Sequence, residues 1–143
     1  MTDVKNQFPQ LFLRFALSIT MLSAVADRFG LWNKENSSWG NMDSFEEYTR
    51  QLTFFLPEAL SIFSAYAATF LEILFPLMLI VGFKTKIAAY GSSILLLVFA
   101  LSMTIALGVK APLNYSVWVG SAAALLLAVQ SQYSLSIDQL TKK

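Results

Sequence analysis

Charged positions are distributed unevenly along the chain, and their gaps predict its elements. Ile87 to Val109 carries no charged residue, and neither does Ala111 to Ile137. A membrane helix needs about 20 mostly apolar residues. These stretches therefore predict spans over 87–109 and 113–130. Two further apolar runs, 8–31 and 60–83, are of similar length but each holds an ionisable residue well inside it, Arg14 in the first and Glu72 in the second. A charge inside such a helix is rare and faces the bundle interior.

Residues 32–57 form the long polar segment. It opens with Asn33, Lys34, Glu35, Asn36, Ser37 and Ser38, which is loop chemistry. Ser44 and Glu47 then have capping-box spacing. Phe45, Tyr48, Leu52 and Phe55 follow at helical spacing, with polar residues between them. The pattern predicts a short amphipathic helix, either a lid at the membrane surface or a docking face. Pro57 suits the first turn of the next span. The remaining connections, around Lys84-Thr85-Lys86 and Gly108 to Pro112, are short and imply antiparallel neighbours. The expected fold is an all-α membrane protein, a single-domain four-helix transmembrane bundle running up-down-up-down, with an amphipathic helix in its first outer loop.

Composition agrees with this reading. The chain has 143 residues, 56% hydrophobic and only 13% charged, too few charges to cover a soluble surface. A net charge of +1 gives no sign of a nucleic-acid partner. There is no Cys and no His, which removes disulfide and thiol chemistry, histidine acid–base catalysis and the usual ligands of haem, iron–sulfur clusters and copper. No intrinsic cofactor or metal is expected, and a redox role would need a bound molecule or a partner protein. The first run lacks a convincing cleavage motif and reads as a retained span. Lys5, Lys84, Lys86, Lys142 and Lys143, with Arg14 nearby, fall on one side; Arg28, Lys34, Arg50 and Lys110 fall on the other. The compact Lys84/Lys86 turn favours the first side as cytoplasmic, with both termini there.

The candidate site residues are Arg14, Glu72, Pro76 and Arg28. A carboxylate at the depth of Glu72 must be protonated or paired. Pro76 removes the N–H that would bond the carbonyl of residue 72, so the helix should bend there. Arg14 is the expected partner, since Glu72 lies about 15 Å from the cytoplasmic surface and Arg14 about one turn inside it. The bland alternatives are a purely structural lock for Glu72 and a snorkelling Arg14. Arg28 lies close to four turns after Arg14, on nearly the same face, and Asp27-Arg28 reads as an outer anchor or closure. Tyr115, Tyr90 and Trp118 read as interfacial aromatics, and Asn114-Tyr115 as a weaker pocket candidate.

The ordered set Leu13-Arg14, Leu17-Ser18, Met21 and Arg28-Phe29 in the first span is similar to the pattern of the DoxX family of small bacterial membrane proteins. So are Leu71-Glu72, Leu79 and Gly82-Phe83-Lys84-Thr85-Lys86 with Ala88-Ala89, and the tail from Tyr133 to Asp138. Ser18 and Val25 stand where the family often has glycine, and Pro76 replaces a commonly small residue. The resemblance implies a four-helix bundle in the bacterial inner membrane associated with redox systems. Relatives include membrane subunits of thiosulfate:quinone oxidoreductase and members of oxidative-stress complexes. By that resemblance the chain is an accessory to a redox partner, with a quinone or other lipophilic ligand around Glu72, rather than a self-sufficient enzyme. A small-molecule binder or carrier without a redox link, and a purely structural interaction module, are the alternatives.

Overall fold

The computed structural model describes residues 7–141. Lys5, Lys142 and Lys143, used above for orientation, lie outside them. The described residues form seven helices joined by turns and loops, with no strand among them: α1 (Gln7–Arg28), α2 (Met42–Leu52), α3 (Glu58–Val81), α4 (Thr85–Leu107), α5 (Lys110–Asn114), α6 (Val117–Ala128) and α7 (Ile137–Thr141). Three of them, α1, α3 and α4, are long and apolar enough to cross a membrane, and α6 is a shorter apolar helix. Together they form a helical membrane bundle.

The bundle is apolar outside and small or polar within. Phe12, Phe63, Phe70, Ile94, Ile105 and Val119 are more than half exposed, whereas Ala65, Ala88, Ala89, Ala100, Ala124 and Ala128 are fully or almost fully buried with Ser18, Ser92, Ser93 and Ser121. This distribution suits lipid, where helices associate through close backbone approach and interhelical hydrogen bonds. α6 packs chiefly on α4 and α1 chiefly on α3, while α1 and α6 touch little. Between α4 and α6, Ser93 Oγ donates to the Ser121 carbonyl and Ser121 Oγ to the Ser93 carbonyl, each at 2.9 Å.

Two differences from the sequence expectation concern helix ends. α2 starts at Met42, and its cap is the Asn41 side chain, which accepts from the Ser44 N–H at 2.8 Å, rather than Ser44 itself. The fourth span, expected as one helix over 113–130, is divided at Tyr115-Ser116 into α5 and α6. Ser116 takes a left-handed conformation, φ 54°, that side chains other than glycine seldom adopt. α3 runs through Pro76 without interruption, so the bend expected there does not break the helix. The Pro76 carbonyl accepts from Ser18 Oγ at 3.1 Å.

One end of the bundle is closed by the tail after α6. Gly82, φ 70°, ends α3 in the left-handed conformation. Its carbonyl accepts from the Asp138 N–H. The Asp138 carboxylate in turn accepts from the Lys84 and Thr85 N–H groups, both at 2.7 Å, and so caps α4, whose own N-cap offers no side-chain bond. Gln10 joins α1 to the tail at Gln132 and Ser134. α2 covers the opposite end, with Phe45 and Leu52 buried against the long helices.

Candidate ligand cleft and buried ion pair

Hydrogen bonds fix the register of the antiparallel pair α1 and α3. Arg14 Nη2 donates to the Ile80 carbonyl and Ser18 to that of Pro76, which puts Glu72 level with roughly Leu22 on α1. Arg14 then lies about 12 Å along the axis toward one end, and Arg28 about 9 Å toward the other. Helix side chains lean toward their own N-terminus. Arg14 therefore leans away from Glu72, while Arg28 and Glu72 lean toward each other.

The contacts follow this geometry and correct the expected pairing. Arg14 is fully buried but does not meet Glu72: Nε donates to the Leu79 carbonyl at 2.8 Å, Nη1 to Ser134 at 2.7 Å and Nη2 to Ile80 at 3.1 Å. It binds the carbonyl end of α3 and the tail, where a cation is favoured. Glu72 pairs with Arg28, with Nη1 2.5 Å from Oε2 and both side chains at least 95% buried. The contact is an ion pair rather than an aligned hydrogen bond, since Oε2 has no hydrogen-bond partner. Arg28 Nη1 also donates to Thr69 Oγ1 at 2.9 Å. The guanidinium carbon lies 3.6 Å from the ring centre of Phe45 and 5.3 Å from that of Trp39, so aromatic faces replace part of its lost hydration.

Asp27 holds the overlying loop. Its carboxylate accepts from the Ser37 hydroxyl and from the N–H groups of Ser38, Trp39 and Gly40. The adjacent residues Asp27 and Arg28 thus bring loop 37–40, α2 and the middle of α3 onto the end of α1.

This corner is the polar end of a cleft of about 1080 Å³. The volume is just above the roughly 300–1,000 Å³ usual for small-molecule sites. Leu13, Leu17 and Met21 of α1 face Leu96, Phe99 and Met103 of α4 across it, with Gly120 of α6 alongside. Tyr48 and Tyr115 stand at the polar end. Burial, and then the Tyr115 phenol, push the Tyr48 phenol above its ordinary pKa, so it remains a neutral hydroxyl at physiological pH. The divided fourth span now has a physical setting: Tyr115, Ser116 and Val117 line the cleft, and irregular backbone at membrane depth is tolerated where it lines a cavity.

Of the four residues singled out in the sequence, Arg28 and Glu72 line the cleft, while Arg14 and Pro76 do not. Trp39, Thr69 and Ser116 were missed. Trp39 lies in a loop read only as polar, and nothing beside Ser116 marks a left-handed turn.

The sequence model of the DoxX family matches residues 10–105, more than half of the chain. The chain belongs to the DoxX family. It is thus a small multi-pass membrane protein in contact with lipid, and the match includes Arg14, Arg28, Glu72 and the Gly82 turn. No curated protein and no solved structure matches it. Among the described residues, no three Asp or Glu residues are grouped to hold a metal ion.

Proposed function

We propose that this protein holds a lipophilic, quinone-like small molecule in its cleft and serves as the accessory membrane subunit of a redox system in the bacterial inner membrane. The observation that carries the binding half is the cleft itself: apolar walls along three helices lead to a buried ion pair flanked by aromatic rings. Such a site buries a hydrophobic body and orients one polar group. The redox half rests on the family. With no Cys or His in the chain, electrons would come from a partner protein or from the bound molecule.

Trp32 and Trp39 both line the cleft and make the test direct. Titrating a short-chain quinone into the purified protein is expected to quench tryptophan emission saturably. Ala24→Phe, which places a ring in the cleft wall, is expected to abolish the saturable component while leaving the protein folded. Quenching that rises linearly, or is the same in the variant, would remove the cleft as the site.

In the orientation proposed here, the end closed by the tail faces the cytoplasm and α2 faces outward. The chain has no cysteine, so single cysteines can be introduced without background. Cysteine at Ser37 is expected to react with an impermeant maleimide in intact cells, and cysteine at Thr141 only after lysis. The opposite pattern would invert the topology.

A further inference from the structure

The charged groups along the cleft select among ligands. Among the described residues, three charged ones line it: Asp27, Arg28 and Glu72. The Asp27 carboxylate is occupied by four loop donors, and the Glu72 carboxylate lies against Arg28. Arg28, in contrast, is only partly used. Its contacts with Thr69 and Glu72 both run through Nη1, and Nε is buried without an acceptor. A buried N–H without an acceptor costs free energy that an incoming oxygen would recover.

We propose that the cleft takes an uncharged amphiphile whose head carries an oxygen acceptor, a carbonyl or hydroxyl, placed against the free edge of Arg28, with its tail along α1 toward Leu13. This deepens the function proposed above and rests on the cleft being a binding site. Charge decides the head. Two carboxylates and one guanidinium leave this end of the cleft with a net negative charge. An anionic head would add a second carboxylate beside Glu72 in a low-dielectric site, where like charges repel strongly. A cationic head would confront the unpaired edge of Arg28 and has no lone pair to offer it. A neutral oxygen meets the unused donor without adding charge. The distance from Leu13 to Arg28 along α1 is about 22 Å, so an extended tail has a continuous wall to follow. Access is from the bilayer, because α2 and loop 37–40 cover the outer end, the tail closes the inner end, and α1 and α6 are in sparse contact.

The experiment compares three amphiphiles of equal chain length, each brominated on the tail carbons next to its head: a methyl ketone, a carboxylate and a primary amine. Each is added to wild-type protein in nanodiscs of zwitterionic lipid, at a mildly alkaline pH where the carboxylate is ionised and the amine protonated. Contact quenching of Trp32 and Trp39 is the readout. The ketone is expected to half-saturate at a concentration at least about tenfold below the other two, the range a hydrogen bond from a charged group supplies. Arg28→Lys keeps a cation opposite Glu72 but removes the planar fork. It is expected to weaken the ketone about tenfold and to flatten the ranking. A carboxylate or amine that binds as tightly as the ketone overturns the proposal, as does a folded lysine variant with the wild-type ranking. Should that variant fail to fold, the wild-type ranking alone decides. If the quinone of the previous section saturates while the three heads bind alike or not at all, head selection fails and the cleft remains a binding site; if nothing saturates, both readings fall.

Discussion

Arg28→Met will destabilise the bundle by about 3–5 kcal/mol, the cost of leaving a buried charge without its partner. Glu72 is then nine-tenths or more buried opposite a thioether, with Arg14 out of reach because its nitrogens are committed to the carbonyls of Leu79, Ile80 and Ser134. Phe45 and Trp39 also lose the cation they pack against. The double variant Arg28→Met, Glu72→Leu should recover most of the loss, because apolar residues of similar volume commonly replace a buried pair without penalty. Unfolding in detergent, followed by circular dichroism, measures both. Arg14→Met provides the control: Glu72→Leu should not rescue it, since the groups it orphans are backbone carbonyls. Rescue of Arg14→Met, or no rescue of Arg28→Met, would show that the pairing drawn here is wrong.

Gly82→Ala will cost about 3 kcal/mol, from a left-handed backbone and an overfilled contact. A Cβ at residue 82 would overlap both Ser136 and the Arg14 guanidinium, and neither can retreat easily. Ser136 is buried in the tail, and Arg14 is tied to three carbonyls. The tail should be displaced, taking the Asp138 cap from α4 with it. The expected readouts are a lower unfolding midpoint and faster proteolysis between Gln130 and Thr141. An unfolding midpoint and a tail-cleavage rate equal to those of the wild type would show that the turn accommodates a side chain.

Helices were the legible part of the sequence, because the bilayer imposes a length and polarity that composition alone can meet. The site was legible as residue types but not as pairs. Arg14 and Arg28 are comparable in depth arithmetic when only distance along the axis is counted. What separates them is the lean of each side chain toward its own N-terminus, which turns Arg28 inward and Arg14 outward. That direction could have been read from sequence once an antiparallel hairpin was assumed. Asn41 and Ser44 both offer capping oxygens before an amphipathic run, and only the backbone angles decide between them. The break at Ser116 had no local signal: Pro112 and Gly120 lie four residues to either side, and tertiary packing around the cleft overrides the apolar pattern.

The reciprocal Ser93–Ser121 bonds make α4 and α6 a single stiff unit, and the Arg14 and Ser18 bonds do the same for α1 and α3. The two units are joined by hydrogen bonds at one end, through the α3–α4 turn and the tail, and by the packing of α2 on α3 and α4 at the other. Directional hydrogen bonds hold the first end in one geometry, whereas apolar packing at the second is non-directional and lets the pairs slide. The largest excursions should therefore fall at the α2 end, beside Arg28, where the polar head of a bound molecule would be gripped or let go.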